Sequence, residues 1–407
     1  MTHTHPRITR IDGGITAAAG FRAAGLSCGI KPSGKPDLML LAADAAASAA
    51  AIFTTNLAKA PPLVVSAEHL ASGEGRVAVI VTNSGCANAC TGPQGLADAR
   101  EMAALAAAAA GCDPAQALVA STGVIGVNLP MDKIRRGIPS AWAALAREGH
   151  ADAALAIMTT DPFPKACAVE VAFAGGTFRV GGMAKGSGMI EPRMATMLGY
   201  LATDAAVPPA LLRRALVDAA ADTFNAITVD GESSTNDCVF ALASGASGVA
   251  IDEASLPVLA DALRAVSREL ALGIVRGGEG ATKLVEVTVT GAATTDDARV
   301  AARVIANSPL VKTAVHGGDP NWGRLVAAAG RSGVPFVLER ARVTVGSLVL
   351  FDQGQPHDER APAAAEHLAG TDVTLGVDLG TGGPGRAVMY TCDLSAEYVR
   401  INADYRT

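Results

Sequence analysis

The pattern of apolar and polar positions predicts strands that end in turns rich in glycine and small polar residues. Short continuous apolar runs are typical of strands buried on both faces, whereas strict alternation is typical of a strand with one buried face. Turn residues directly after such a run mark its end. The strands predicted in this way are Arg76–Thr82 before Asn83-Ser84-Gly85, Ala117–Ser121 before Thr122-Gly123, a hairpin of Cys167–Phe173 and Phe178–Val180 around Gly175-Gly176, and the alternating Val285, Val287 and Val289.

Helical periodicity lies between these runs. Leu259, Leu263, Val266 and Leu270 follow one another at spacings of four, three and four, which puts them on one face of a helix. The alanine-rich stretch from Gly95 to Ala110 predicts a packed helix, because alanine has the highest helix propensity. Further helices are predicted around Leu211, Leu212, Ala215 and Leu216, from Asp296-Asp297 with Val300, Val304 and Ile305, and, in a C-terminal part otherwise predicted to be mostly strand, near 361–368 and at Ser395.

Strands and helices that alternate in this way predict a mixed α/β or α+β fold. The length of 407 residues is enough for two or three domains, and we place a break near 282–296. Half of the residues are hydrophobic and 18% are charged, so the chain is able to bury a sizeable core.

Composition excludes some classes of partner. The formal net charge is −6 and 4% of the residues are aromatic, which argues against a nucleic-acid binder with a basic face and stacking platforms. The first residues lack an apolar signal core, and the longest charge-free stretch, Pro114–Met131, is interrupted by Gly, Pro and polar residues. The seven cysteines are odd in number and indicate reduced thiols. We therefore expect a cytoplasmic protein with no membrane partner.

Several short motifs do not support the chemistry that they suggest. Gly29–Lys35 matches a phosphate-binding loop, but Pro36 follows where a hydroxyl is needed, so a plain turn is favoured. Gly380–Gly385 fits a dinucleotide-binding pattern, but a strand follows it, which favours a hairpin turn. Cys86 and Cys90 have no second ligand pair at zinc spacing, so small core residues and no metal are expected. His316 is a lone histidine without a serine elbow, which favours a structural role.

The segment Met183–Leu198 combines a glycine-rich turn with Lys185, Pro192 and Thr196 ahead of a short apolar run. Composition alone favours a loop that leads into a buried strand. The segment nevertheless closely resembles the signature of the ornithine acetyltransferase family, the glutamate N-acetyltransferases of cyclic arginine biosynthesis. Blocks in the family's order span nearly the whole chain: Asn83–Gly85, Ala87–Gly92, Ser121–Gly126, Ile157–Asp161, Asp230–Asp237, Gly278–Lys283, Val311–Thr313, Asp319–Arg324 and Tyr398–Thr407.

The resemblance implies a fold and a covalent event. The fold is an αββα sandwich of the N-terminal-nucleophile type with a smaller C-terminal α+β domain. The family cuts itself at the bond that corresponds to Ala195–Thr196, which divides this chain into 1–195 and 196–407. Two copies of each piece are implied to assemble as a heterotetramer.

The implied chemistry is acetyl transfer from N2-acetyl-L-ornithine to L-glutamate through an acetylated Thr196. A threonine hydroxyl is a weak nucleophile that needs a base, and the α-amino group exposed by cleavage, with a pKa of about 7.7–8.0, is a suitable one. In the family the oxyanion of the tetrahedral intermediate is held by residues that correspond to Thr122 and Gly123. Spacing alone indicates that those two residues form an ordinary turn at the end of a strand.

Substrate contacts are also carried over from the resemblance. Lys185 suits an amino-acid carboxylate and Glu279 suits a substrate ammonium group. Glu191 and Arg193 depart from the family's commonest form, and we expect them to alter the rate of cleavage or the nearby charge without abolishing cleavage. The implied contact residues are Thr159, Lys185, Thr196, Glu279, Asn402 and Thr407.

Other functions stay open. No cofactor is expected, but acetyl-CoA remains an alternative acetyl donor for glutamate. A related self-processing aminopeptidase or amidohydrolase would pass the acyl group to water instead. A degenerate relative that binds a small molecule without catalysis would leave the chain uncut.

Overall fold

A computed structural model describes residues 6–191 and 197–404. The strands are β1 (Arg7–Ile11), β2 (Phe21–Leu26), β3 (Leu38–Phe53), β4 (Arg76–Cys86), β5 (Ala117–Val124), β6 (Lys165–Phe173), β7 (Gly176–Lys185), β8 (Leu198–Thr203), β9 (Cys238–Ala243), β10 (Leu284–Ala292), β11 (Arg342–Val345), β12 (Leu348–Asp352), β13 (Gln355–Pro356), β14 (Asp372–Asp378) and β15 (Gly385–Cys392). The helices are α1 (Pro61–Ser72), α2 (Gly92–Ala110), α3 (Met131–Ala143), α4 (His150–Ala156), α5 (Pro209–Ala221), α6 (Leu256–Arg276), α7 (Thr295–Ala306), α8 (Pro309–Gly317), α9 (Trp322–Gly330), α10 (Ala361–Leu368) and α11 (Ala396–Asp404).

The long strand β3 bends one sheet into two facing layers. Within the described residues the strand order is β1-β6-β7-β8-β9-β3-β4-β5, and β2 also pairs with β3. The first part of β3, Leu38–Ala42, pairs with β4, whereas Ser48–Phe53 pairs with β9, and the register with β4 shifts between these two parts. An irregularity of this kind bends a strand. The layers meet through an apolar interior in which Ile80 and Leu118 lie in the same cluster as Tyr200 and Phe240.

Helices cover both outer faces of this sheet. Apolar residues of α1, α2 and α3 pack on β3, β4 and β5, and residues of α5 and α6 pack on the layer that contains β6 to β9. Because both faces of the central strands are buried, Val77, Val79, Ile80 and Val81 form a continuous apolar run and do not alternate with polar residues. The expected αββα sandwich is confirmed.

A smaller α+β unit follows. Its sheet has the order β13-β12-β11-β14-β10-β15 among the described residues, and it has an apolar core of its own. Val285, Val287 and Val289 of β10 are buried in that core, while Glu286 and Thr288 are partly exposed, so the alternating strand is confirmed. The chain passes from one sheet to the other between Arg276 and Leu284, and β10 itself occupies most of 282–296.

Two predictions for the C-terminal part are wrong. The stretch expected to be mostly strand contains α8 and α9, whose N-caps are Ser308 and Asn321. Side-chain oxygens of these residues accept hydrogen bonds from the amides of Val311 and Arg324, a capping signal that the strand interpretation overlooked. The segment Gly380–Gly385 is not a hairpin turn, because β10 lies between β14 and β15 in the sheet.

Smaller corrections concern the ends and faces of elements. Strands β4 and β5 run past their predicted ends to Cys86 and Val124, since the parallel pairing between them continues through Asn83 and Thr122. Val300 of α7 is 45% exposed, and the buried face of that helix is formed by Ile305 together with alanines. Cys90 is exposed and is therefore not the core residue that was expected.

Among residues 6–191 and 197–404, no helix has both the length and the apolar character needed to cross a membrane.

A buried hydroxyl pair joins the two layers of the sandwich. The side-chain oxygens of Thr82 on β4 and Tyr200 on β8 are 2.7 Å apart, and both residues are fully buried. We expect Tyr200→Phe to lower the free energy of unfolding by about 1–3 kcal/mol, because the Thr82 hydroxyl then lacks its partner. Urea denaturation measures this loss. The double variant Tyr200→Phe/Thr82→Val should be less destabilised than Tyr200→Phe, and an equal or greater loss would contradict the prediction.

Candidate active site

A cavity of about 150 Å³ lies where the ends of β5 and β7 meet the start of β8 and the C-terminal helix α11. Met197, which directly follows Thr196 in the sequence, lines it. Ala195, Thr196 and Thr407, which the sequence also singles out, lie outside the described residues. The structure gathers the remaining predicted site residues around this one cavity: Thr122, Gly123, Thr159, Lys185, Glu279 and Asn402.

Thr122 and Gly123 lie near the C-terminal end of β5, beside the end of β4. Gly123 pairs with Gly85 and has a φ of +127°, a conformation that side-chain-bearing residues rarely adopt. A Cβ on Gly123 would also overlap with the backbone of Gly85 and Cys86. Glycine at this position therefore lets the two parallel strands approach closely and directs the backbone of Thr122-Gly123 towards the cavity.

Buried amides fix the end of β5. The Ser121 hydroxyl donates to Asn83 Oδ1 at 2.6 Å, and Asn83 Nδ2 donates to the Cys86 carbonyl at 2.8 Å. Asn236 Nδ2 donates to the carbonyls of Ala87 at 2.6 Å and Ser121 at 2.9 Å. Because these groups are buried and paired, the backbone next to Thr122 has little freedom to move.

A buried carboxylate holds the lysine side of the cavity. Asp161 accepts hydrogen bonds from Lys165 Nζ at 2.6 Å, from the Gly186 amide at 2.7 Å and from the Thr159 amide at 3.0 Å. Burial alone would raise the pKa of Asp161, but the ammonium groups of Lys185 and Lys165 and these hydrogen bonds lower it to about 2. Burial lowers the pKa of Lys165. Asp161 therefore stays ionised and compensates two buried cations.

Lys185 is the last residue of β7 and is 9% exposed. Its Nζ donates to Thr122 Oγ1 at 3.3 Å. A hydroxyl that accepts from an ammonium group keeps its own proton free to donate elsewhere. This pair therefore supplies a hydroxyl donor and a positive charge on the same wall of the cavity.

The cavity lining also carries a carboxylate. Glu279 follows α6 and is 7% exposed, and Asn402 Nδ2 of α11 donates to its Oε2 at 2.8 Å. A Cβ on Gly188 would overlap with the Glu279 carboxylate, so the glycine-rich segment leaves room for this side chain. The C-terminal helix thus folds back onto the cavity, which the sequence alone did not establish for Asn402.

Asp230 fixes the loop after β7. Its carboxylate accepts from the amides of Met189 at 2.7 Å and Ile190 at 2.8 Å, and from the Tyr398 hydroxyl at 3.2 Å. Burial, followed by the charge of Asp230, raises the pKa of Tyr398. The loop that leads towards 192–196 is therefore tied to both α11 and the segment before β9.

The motifs that were set aside lie away from the cavity lining. Asp37 accepts hydrogen bonds from the amides of Cys28 and Lys31, which makes Gly29–Lys35 a plain turn. His316 Nδ1 is 2.6 Å from Asp393 Oδ2 in the C-terminal unit. In the part of the chain that the structure describes, no group of three or more His, Cys, Asp or Glu side chains has a metal-binding arrangement.

Of the two departures, Glu191 is buried and does not line the cavity. Its carboxylate accepts from Asn307 Nδ2 and lies 3.4 Å from an Arg303 nitrogen, both on the C-terminal unit. Arg193 lies outside the described residues.

Comparison with known proteins identifies the family. The family model described as the ArgJ family matches residues 22–407. The chain belongs to the ArgJ family. An arginine biosynthesis bifunctional protein ArgJ from Symbiobacterium thermophilum is 52% identical over 400 residues, covering 97% of this chain and 99% of that protein. The protein of the same name from Chlorobaculum tepidum is 49% identical over 391 residues, covering 95% of this chain and 96% of that protein.

A solved structure is also similar to part of the chain. The ornithine acetyltransferase from Mycobacterium tuberculosis, described in complex with ornithine, is 41% identical. The match covers 47% of this chain and 100% of that one, with a TM-score of 0.42.

Several residues that shape this ArgJ-family cavity were not given a role from the sequence. They are Asp161, Lys165, Asp230, Asn236, Asp237 and Tyr398. All but Lys165 lie in blocks that carried the resemblance, so the blocks pointed to the region. Lone acidic and amide residues in turns gave no further signal, because their partners are distant in sequence.

Asp161→Asn should destabilise the protein by about 3–5 kcal/mol at neutral pH, because it leaves Lys165 and Lys185 buried without a counter-charge. The folded-state pKa of Asp161 lies below its usual value of 3.8, so its stabilising effect is complete above about pH 4 and is lost as the pH falls towards 2. Urea unfolding gives the free energy of unfolding of the native protein and of Asp161→Asn. The difference between the two should therefore decrease as the pH falls from about 4 towards 2. A difference in the free energy of unfolding that stays constant down to pH 2 would contradict the lowered pKa of Asp161.

Proposed function

We propose that this chain is a self-processing acetyltransferase that moves the acetyl group of N2-acetyl-L-ornithine to L-glutamate, giving L-ornithine and N-acetyl-L-glutamate. One observation carries the proposal. The chain is a member of the ArgJ family, and one cavity is lined by residues that are far apart in its sequence. These residues are Thr122, Thr159, Lys185, Glu279 and Asn402, together with Met197, which follows Thr196. The relatives' name, arginine biosynthesis bifunctional protein, supports the same activity.

The first half of the cycle forms an acetyl-enzyme. The Thr196 hydroxyl attacks the acetyl carbonyl, and the α-amino group created by cleavage takes the hydroxyl proton. The Thr122 hydroxyl and the Gly123 amide stabilise the oxyanion, and the nearby Lys185 charge adds to this effect. Collapse of the intermediate breaks the bond from the acetyl carbon to N2, and the proton passes from the α-ammonium group to ornithine. Glutamate's amine then attacks the acetyl-Thr196 ester and reverses these steps.

The charges of the cavity suit amino-acid substrates. Lys185 and Glu279 both line the cavity, and both are largely buried. An α-carboxylate pairs with the ammonium group, and a substrate ammonium group pairs with the carboxylate. Asn402 fixes the Glu279 carboxylate by donating to one of its oxygens. The acetyl donor N2-acetyl-L-ornithine and the acceptor L-glutamate each carry a carboxylate and an ammonium group. This is consistent with their binding one after the other at the same site.

Cleavage at Ala195–Thr196 would leave the two pieces in one folded unit. Strand β7 of piece 1–195 pairs with β8 of piece 196–407, and β3 pairs with β9 in the same way. These strand pairings connect piece 1–195 to piece 196–407 and lie in buried layers, so the pieces stay together after cleavage. We extend the proposal to a heterotetramer with two of each piece, in the cytoplasm, where the free thiols stay reduced.

Acetyl-CoA as a further acetyl donor is the second candidate. The word bifunctional in the relatives' name favours it. Formation of N-acetyl-L-glutamate from acetyl-CoA and glutamate, without N2-acetyl-L-ornithine, distinguishes this activity from simple acetyl exchange.

Thr196→Ala should give an unbroken, inactive chain of 40.9 kDa, because both cleavage and transfer need the hydroxyl. Thr196→Ser keeps a hydroxyl and should still yield two pieces. Intact mass under denaturing conditions measures cleavage, and ornithine release measures transfer. A processed and active Thr196→Ala protein would refute the proposal.

Thr122→Val removes the hydroxyl donor while keeping the shape of the side chain. We expect kcat for ornithine release to fall about 10²–10³-fold, the usual effect of losing one oxyanion donor. Thr177→Val, on the exposed β6–β7 hairpin, is the matched control and should behave like the native protein. Free acetate formed without glutamate would instead support a hydrolase.

A further inference from the structure

A cavity of about 420 Å³ lies where the sandwich meets the C-terminal unit, and we call it the junction cleft. It is larger than the candidate active site, and the two cavities share no lining residue. The sandwich contributes the C-terminal end of α5 and part of α6, and the C-terminal unit contributes α7 and β15. The charged residues of its lining are Asp222, Arg268, Glu286, Arg299, Arg303 and Arg386.

The sign of the charge in the junction cleft is opposite to that of the chain. Four arginines and two carboxylates line the cleft, whereas the chain as a whole has a formal net charge of −6. The candidate active site differs again, since one lysine and four acidic residues line it. A concave region of positive charge attracts small anions to itself. The acidic chain therefore carries a local site that favours a negatively charged ligand.

The guanidinium groups retain donors for such a ligand. Arg386 forms no ion pair within 6–191 and 197–404. Arg268 lies 3.4 Å from a carboxylate oxygen of Asp222, and Arg299 pairs at 3.0 Å with Asp296, whose side chain is 88% exposed. An ion pair this exposed contributes little and exchanges readily for another anion. Because each guanidinium group has five N–H donors, one carboxylate partner leaves most of them available.

Two of the arginines lie close to one aromatic ring. Burial and the carboxylate of Glu286 raise the pKa of Tyr390, and the charges of Arg268 and Arg386 act in the opposite direction. Both guanidinium groups therefore lie within electrostatic reach of the Tyr390 hydroxyl, although they belong to different structural units. Arg303 is held in place at the same cleft, since it donates to the Asn225 carbonyl at 3.2 Å.

The backbone of β15 adds a further donor. This strand is at the edge of its sheet among the described residues, and the Tyr390 carbonyl accepts from the Thr228 amide at 2.9 Å on the side away from β10. Backbone groups of alternate residues in an antiparallel strand point to the same side. The amide of Val388, which lines the cleft, therefore points away from β10 as well. A backbone amide and guanidinium groups together are the usual donors for carboxylate and phosphate oxygens.

We propose that the junction cleft binds a small anion with at least two negatively charged groups, either carboxylates or phosphates. Arg268 belongs to the sandwich, and Arg299 and Arg386 belong to the C-terminal unit. One ligand with two charged groups therefore contacts both units at once and stabilises the folded protein. The inference is independent of the proposed function, because the two cavities have no lining residue in common.

Isothermal titration calorimetry with the full chain tests the proposal, with pyrophosphate and citrate as separate probes at constant ionic strength. We expect saturable binding of at least one probe at a single site, with a Kd below about 1 mM. Tighter binding of pyrophosphate indicates a phosphate ligand, and tighter binding of citrate indicates a carboxylate ligand. Arg386→Gln and Arg299→Gln should each weaken this binding by about 10–100-fold, because each removes a charged donor.

Arg7→Gln is the matched control. Arg7 is an exposed arginine on the edge strand β1, outside the cleft, so its loss changes the net charge equally and should leave the affinity unchanged. Urea unfolding checks that the variants are folded, and Arg299→Gln carries the test if Arg386→Gln is not. Three results would overturn the proposal: no saturable binding of either probe, native affinity in the folded cleft variants, or an equal loss in Arg7→Gln.

Discussion

The carboxylate of Asp161 holds three parts of the cavity wall together, since it accepts hydrogen bonds from Lys165, from the Thr159 amide and from the Gly186 amide. It is also the counter-charge that permits Lys185 to remain buried next to Thr122. Without it, two cations would lie in a low-dielectric interior, where unpaired charge is strongly unfavourable. The position of the lysine, and with it the polarity of the oxyanion side of the cavity, depends on this one group.

Both structural units contribute residues to the site. The sandwich supplies Thr122 and Gly123 at the end of β5, which pairs in parallel with β4, and Lys185 at the end of β7, which pairs antiparallel with β8. Glu279 follows the sandwich helix α6, and the C-terminal helix α11 folds back to place Asn402 against it. Asp230 links the two by binding both the loop after β7 and Tyr398. Lys185 and Glu279 therefore line a cavity that neither unit forms alone.

The strength of local signals explains which elements were predictable. Helix α6 has an apolar stripe at helical spacing and β10 alternates strictly, and both were predicted correctly because each buries one face. The prediction for Gly380–Gly385 failed because a turn looks the same locally whether or not another strand lies between the two it joins. Helices α8 and α9 are short and were missed because their capping residues were not weighed against a strand-like composition.

The sequence by itself determined the alternating elements, the family resemblance and a set of candidate residues. The chemistry of the candidate residues could be inferred from the sequence because residue type limits which hydrogen bonds a side chain donates or accepts and which charge it carries. Only the tertiary structure decided that these residues share one cavity, that Asp161 binds Lys165 and two backbone amides of the cavity wall, and that Asp237 lies buried next to the start of β9. Burial and long-range hydrogen bonds arise between residues far apart in the chain, and no local pattern of apolar and polar positions encodes those distances.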